Sequence, residues 1–160
     1  MMKVRDLMTT NVASLQSREP LSAAAQRMWE CDCGAIPVTE DGSSRVIGMI
    51  TDRDICMATW TKNRAPSAIE LAEVISRELY FCAPEDGLST AGNLMRQKQV
   101  RRIPVLDENR NLVGILSLAD IASYSQPLEP RTFGSEIAPS DLAATLANIC
   151  HPRAPLSSTA

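Results

Sequence analysis

The sequence predicts an α/β chain of α+β character: two tandem, pseudo-symmetric repeats, each a small sheet with helices on one face, followed by a short helical C-terminal tail. Three observations carry this. Gly48-Met49-Ile50-Thr51-Asp52-Arg53-Asp54-Ile55 returns 66 residues later as Gly114-Ile115-Leu116-Ser117-Leu118-Ala119-Asp120-Ile121, and self-similarity at a fixed spacing marks a repeated structural unit. Each copy follows an Ile-Pro-Val run, at residues 36–38 and 103–105. Upstream of the glycine the offset is 67 and from it onward 66, so the one-residue difference falls between Glu40-Asp41-Gly42-Ser43 and Asp107-Glu108-Asn109-Arg110. Length variation confined to a polar hairpin turn is what two copies of one fold tolerate.

Each half reads strand, helix, strand, strand, helix. Val12 to Leu15 and Leu79 to Cys82 are short extended runs. Leu21 to Glu30 and Leu88 to Gln97 carry apolar residues at helical spacing, with Leu21, Ser22, Ala24 and Met28 matched by Leu88, Ser89, Ala91 and Met95. Hairpins rich in β-branched residues follow, Ile36 to Val38 with Val46 to Ile50 and Ile103 to Leu106 with Leu112 to Leu116. The closing helices start near Asp52 and Leu118.

The repeats occupy residues 1–60 and 71–125, joined by a linker at 61–70. Trp60 to Ala65 reads as a polar connection, and Ser67-x-x-Glu70 as a helix start leading into Leu71 to Val74. The remainder, 126–160, is a tail interrupted by Pro127, Pro130, Pro139, Pro152 and Pro155, with one helix at 141–150 striped by Leu142, Leu146 and Ile149. Either repeat alone is too small to hold an adequate core, so the halves should pack together.

With 160 residues and 44% hydrophobic content, the chain is too short for a barrel enzyme, which needs about 250 residues. A formal charge of -3 offers no basic field to nucleic acid or anionic lipid. No apolar run approaches the ~20 residues of a membrane span, and Met1 to Asp6 lacks a signal-peptide core. The expectation is a cytoplasmic protein with neither nucleic-acid nor membrane partners. Five cysteines, Cys31, Cys33, Cys56, Cys82 and Cys150, fit reduced thiols better than a disulfide framework.

Thr51-x-x-Asp54 and Ser117-x-x-Asp120 each fit a helix N-cap with an acidic residue three positions on. A ligand adds a second use. A helix N-terminus suits phosphate, an aspartate beside it can accept from both hydroxyls of a ribose diol, and a glycine lets a sugar approach the backbone. Adjacent apolar strand residues can flank a purine.

On these residues both halves resemble cystathionine-β-synthase (CBS) domains, and the pair resembles a Bateman module over about residues 2 to 124, as in short stand-alone bacterial CBS-pair proteins of the hypoxic-response type. The resemblance implies sheets meeting with two nucleotide clefts between them, and two modules assembled into a flat homodimer. It implies ribose binding by Asp54 and Asp120, help from Thr51 and Ser117, and a base pocket lined by Ile36, Pro37, Ile103 and Pro104 with Val12 and Leu79. Arg101 and Arg102 stand where the other repeat has Gly34 and Ala35; with Arg53 they are candidates for phosphate, so the clefts should not bind alike.

The function expected is a regulatory sensor of an adenosyl ligand (AMP, ADP, ATP, NAD or S-adenosylmethionine), signalling to an unknown protein partner through dimer geometry, with no catalytic residues and no catalytic cofactor. No nucleophile, base and orienting acid can be assembled. A ligand-free homodimeric interaction protein or thiol-responsive stress protein is the alternative. Cys31-x-Cys33 could be a redox pair, whereas a zinc site needs about four ligands and the one histidine, His151, lies in the tail. Cys56 and Cys82 read as small core residues. Trp29 and Trp60 are expected at helix surfaces or a subunit contact, with base stacking the alternative.

Overall fold

A computed structural model of the chain describes residues 2–76 and 78–124; the expected tail helix at 141–150, with Cys150 and His151, lies outside them. The order is β1 (Leu15–Gln16), α1 (Leu21–Glu30), β2 (Ala35–Thr39), β3 (Val46–Thr51), α2 (Asp52–Lys62), α3 (Leu88–Lys98), β4 (Arg102–Leu106), β5 (Leu112–Ser117) and α4 (Leu118–Tyr124), with 3-10 turns at Val4–Asp6, Pro66–Ala68 and Leu71–Glu73. β1, β2 and β3 form one sheet, β1 parallel and β3 antiparallel to β2; β4 and β5 form the second. Both hairpins bulge at the same place, after Val38 and after Val105.

The repeat is visible bond by bond. Asp6 caps its turn by accepting from the Lys3 N–H (2.9 Å), and Glu73 accepts from the Glu70 N–H (3.1 Å). Glu19 accepts from the Gln16 N–H (2.6 Å), and Asp86 from the Ala83 N–H (2.8 Å). The hairpins meet at their turn ends: the Val46 N–H donates to Arg110 O and the Leu112 N–H to Ser44 O, both at 3.0 Å, and the Ser44 hydroxyl donates to Asn111 Oδ1 at 3.0 Å. Arg45 and Asn111 are equivalent positions and bridge to each other, so the pseudo-two-fold axis passes near them.

The N-terminal segments of the repeats are exchanged. Val4, fully buried, belongs to the second core with Cys82, Ala91, Met95, Ile103, Val105 and Leu116; Ile69 and Leu71 belong to the first with Leu21, Met28, Ile36, Val38 and Ile50. Backbone bonds fasten each segment to its adopted half: Val4 N–H to Asp86 O (2.9 Å) and Thr9 N–H to Ile115 O (2.9 Å), Leu71 N–H to Glu19 O (2.9 Å) and Ser76 N–H to Met49 O (3.3 Å). Burying an aliphatic side chain of this size contributes about 1.5–3 kcal/mol. The units of sequence and the units of packing therefore differ.

Proline explains where the crossing occurs. Cys82 donates to Pro104 O (3.2 Å) and accepts from the Leu106 N–H (3.0 Å), so this flank of β4 is the one on which Pro104 has no N–H to offer. Parallel pairing can begin only at Cys82, and in the first half only at Leu15. The extended runs expected from Val12 and Leu79 are accordingly shorter, two residues and a single bridge, and the chain before them leaves its own sheet. The helix expected over 71–74 is one 3-10 turn, because the Ser76 N–H, which would extend it, is taken by Met49 O; its cap is Glu73, not Ser67. α2 continues past Trp60 to Lys62 and stops at Asn63, which is left-handed with φ 48°. Trp29 and Trp60 are 78% and 76% exposed on helix surfaces. Cys82 is buried as expected, whereas Cys56 is exposed on the outer side of α2.

The repeated glycines have a packing role. A Cβ on Gly48 would lie 2.7 Å from Ser76 O, and one on Gly114 would lie 3.0 Å from Thr9 O and 2.6 Å from the Met8 sulfur. It is the exchanged segment, rather than a sugar, that approaches these backbones.

Candidate functional site

The site is built on the N-terminus of α2. Asp54 Oδ2 accepts from the Thr51 N–H (2.9 Å) and the Thr51 hydroxyl (2.6 Å), and the Asp54 N–H donates to Thr51 Oγ1 (3.2 Å). Asp120 Oδ2 repeats this with the Ser117 N–H (2.7 Å) and hydroxyl (2.6 Å), and the Asp120 N–H donates to Ser117 Oγ (3.2 Å). In both, one carboxylate oxygen holds the cap. Among the described residues nothing donates to the other, so each aspartate can cap a helix and accept from a ligand at once.

A cleft of about 330 Å³ opens at Thr51 and Asp54, within the size range of small-molecule sites. Gly34, Ala35, Met49, Asp52 and Arg53 line it from the first repeat, and Gln99, Val100, Arg101 and Arg102 from the second. Ser76, Glu78 and Tyr80, on the crossing segment, close the remaining wall. Three guanidinium groups and three carboxylates thus share one hollow. A hydrogen bond to the Glu78 carboxylate, followed by partial desolvation, holds the Tyr80 hydroxyl above the usual tyrosine range. The Lys98 ammonium lies 4.6 Å from the Tyr80 ring centre, a cation–π distance. At the rim, a Cβ on Gly34 would sit 3.2 Å from Asp52 Oδ2, which would have to shift by a few tenths of an ångström, and at an ordinary 3.8 Å contact from Arg102 Nη1. Cys33, next to Gly34, has its thiol pushed up, chiefly by burial, while the Ala35 backbone and Arg102 pull it down.

Of the residues expected from sequence, Thr51, Arg53, Asp54, Arg101 and Arg102 converge on this cleft. Ser117 and Asp120 form the pseudo-symmetric pair in the other half. Arg101 and Arg102 precede the second Ile-Pro yet line the cleft of the first motif. Ile36, Pro37, Ile103 and Pro104 are buried in their sheets; Gly34 and Ala35, one step earlier on the strand, present the cleft surface instead. Leu79 lies half-buried between Glu78 and Tyr80, which do line the cleft. Val12 lines a separate, more open groove with Arg27, Gln16 and Ser44. The residues that sequence reasoning did not select are those of the crossing segment, Ser76, Glu78 and Tyr80, together with Asp52 and Gln99. Their one signal was the hydroxyl shared by Thr9 and Ser76, 67 residues apart. Among the described residues no group of three or more His, Cys, Asp or Glu converges as a metal site.

The CBS domain family model matches residues 4–60 and 71–126. The CBS domain-containing protein YhcV of Bacillus subtilis is 43% identical over 122 residues, 76% of this chain and 84% of that protein. Hypoxic response protein 1 of Mycobacterium tuberculosis is 38% identical over 124 residues, 78% and 85% of the two chains. The crystal structure of Hypoxic Response Protein I with two coordinated zinc ions superposes with a TM-score of 0.70 at 37% identity, over 77% of this chain and 98% of that one. The CBS domain pair of protein MJ0100, in complex with 5'-methylthioadenosine and S-adenosyl-L-methionine, has a TM-score of 0.69 at 19% identity, over 78% and 95%. With two matched domains and relatives of this similarity, the chain belongs to the CBS domain family and carries its domain pair.

Proposed function

We propose that the protein is a regulatory module that binds one adenosyl ligand class, AMP, ADP, ATP, NAD or S-adenosylmethionine, in the Thr51–Asp54 cleft and passes occupancy to a protein partner through the geometry of a homodimer. The observation that carries this reading is the divided use of Asp54: Oδ2 is spent on the Thr51 cap, and Oδ1 remains for a ribose diol. Arg53, Arg101 and Arg102 supply donors for an anionic group, and the Tyr80 ring supplies an aromatic wall. The adenosyl ligands of the MJ0100 domain pair support the ligand class. Nothing in this reading requires chemistry on the ligand.

Signalling requires the ligand to favour one dimer state over another, because equal affinity for both shifts nothing. Met57 and Trp60, exposed on α2, provide an apolar face on the same helix whose N-terminus forms the cleft. Isothermal titration with the five ligands tests binding, and sedimentation velocity with and without the tightest binder tests coupling. Failure of all five at millimolar concentration sinks the reading.

A further inference from the structure

We propose that Cys31 and Cys33 form a redox site on the turn that carries Gly34 and Ala35 to the Thr51–Asp54 cleft: a hydroperoxide joins them in a disulfide, and the joined turn weakens ligand binding in the cleft. The inference rests on the adenosyl-ligand reading and adds to it a means of regulation. α1 ends at Glu30, and Cys31, Asp32 and Cys33 turn the chain toward β2. Asp32 is left-handed, with φ 46°, and the Cys33 N–H closes the turn on Met28 O at 3.0 Å. The second repeat builds the same turn from Lys98, Gln99 and Val100, with Gln99 at φ 53° and the Val100 N–H on Met95 O at 3.0 Å. The fold therefore does not need sulfur here.

The turn presents its two thiols unequally. Cys31 is exposed, and Cys33 is half-buried against the first core. Two residues apart, their Cα atoms lie at most about 7 Å from each other, and the left-handed Asp32 draws them closer, into the range of about 4.4–6.8 Å that a disulfide spans. Burial is the chief reason the Cys33 thiol is pushed up, with Cys31 adding to it and Arg102 opposing, so Cys31 is the sulfur that meets an oxidant. Its Sγ attacks one oxygen of the peroxide, the O–O bond breaks, and the other oxygen leaves as an alcohol, or as water from hydrogen peroxide. Cys33 Sγ then attacks the sulfenic sulfur, the S–S bond forms, and water departs. Two thiols lose two electrons and two protons in all, and the peroxide takes them up.

The path from this pair to the cleft is one residue long. Gly34 O accepts from the Asp52 N–H at 3.2 Å, holding the first turn of α2, and Ala35 pairs with Thr51. Drawing the two sulfurs together turns the peptide between Cys33 and Gly34, and the bond to Asp52 and the Thr51–Asp54 cap move with it. Since the open cleft with its free Asp54 oxygen belongs to the reduced turn, the distortion lowers affinity. A disulfide closing so short a loop is of the labile, regulatory kind, so a thiol reductant reverses the change.

The test uses the full chain carrying Cys56→Ser and Cys150→Ser, which leaves the pair and the buried Cys82. The protein is treated with hydrogen peroxide, mapped by peptide mass spectrometry, followed by hydrogen exchange across β3 and α2, and titrated calorimetrically with AMP, ATP and S-adenosylmethionine. The result expected is a peptide carrying both cysteines and lighter by two hydrogens, faster exchange at Asp52 to Asp54, and affinity lower by roughly tenfold, the worth of one hydrogen bond at the cleft. Dithiothreitol should restore both readings. Cys31→Ser should bind as the reduced protein does and lose its response to peroxide. Absence of the Cys31–Cys33 link, or a link that leaves exchange or affinity unchanged, overturns the inference and leaves the adenosyl reading standing. So does an equal response in Cys31→Ser, which traces the effect to oxidation elsewhere. No binding by any of the three probes to the reduced protein overturns the inference together with the adenosyl reading.

Discussion

Replacing Gly48 by alanine asks whether the exchanged segment is held as tightly as the geometry indicates. The new Cβ would meet Ser76 O at 2.7 Å and two carbons of Ile75 at 3.1 Å. A backbone oxygen cannot swing aside as a side chain can, so the segment must move, and the 3.3 Å bond from the Ser76 N–H to Met49 O lengthens with it. Overpacking of this kind costs about 1–3 kcal/mol, against which the stiffer unfolded chain returns about 0.4–1 kcal/mol. The net expectation is a loss of about 1–2 kcal/mol, a fall in Tm of roughly 3–8 °C for a chain of this size. Gly92, inside α3, supplies the opposite case: its Cβ would meet only Ile121 Cδ1, at 4.0 Å, and Gly92→Ala should gain up to about 1 kcal/mol from helix propensity. Gly114→Ala should fall between them, since its nearest neighbour is the end of the flexible Met8 side chain. Urea titrations followed by circular dichroism give the three values. If Gly48→Ala proves as stable as Gly92→Ala, the close approach is not a constraint and the reasoning is wrong.

Leu71→Ala, at a fully buried side chain of the exchanged segment, should cost about 2–5 kcal/mol and lower one cooperative transition rather than split it, as differential scanning calorimetry will show. Thr51→Ala should lose about 1 kcal/mol of capping, and Thr51→Ser should recover most of it in the same melts. In alkylation followed by peptide mass mapping, exposed Cys31 and Cys56 should react first. Cys82, whose thiol burial pushes to about 12, should react only on unfolding. Glu73 and Glu85 are each held below the ordinary glutamate range, first by hydrogen bonds from Lys62 and Lys3. Since their folded values lie below their unfolded ones, their contribution is present above the ordinary range and disappears as pH falls through it. Glu85→Gln should flatten the acid limb of the stability profile.

The fold was largely legible because its decisive signals are local and doubled. The hairpins, both amphipathic helices and both caps could be read from the spacing of Ile36, Val46, Thr51 and their mates. What escaped was non-local. Nothing in the pattern around Val4 or Leu71 says which half an aliphatic side chain will enter, since either core would bury it equally well. The exchange follows from Pro37 and Pro104 failing to donate on one strand flank and from glycine opposite Ser76 and Thr9, facts that acquire meaning only in three dimensions. The same limit applied to the site. Thr51, Asp54 and the arginines carry chemistry in their identity and stand out in the sequence, while Glu78 and Tyr80 reach the cleft only through the crossing. Ile36 and Ile103, expected at a base wall, are buried in their sheets, and Gly34 and Ala35 line the cleft. A strand end facing a cleft exposes its first residues and buries those that follow.

The exchange of segments also bears on how such a chain comes into being. During synthesis the first core stays incomplete until Ile69 and Leu71 have left the ribosome, and Val4 must wait for the second half to be made. Neither half, released alone, possesses all of its own interior. Two copies of a half-length ancestor could have satisfied one another by trading these segments between separate molecules. Fusing the copies head to tail would then have turned a partnership between chains into one within a chain, free of dilution, and left each copy at liberty to change without the other.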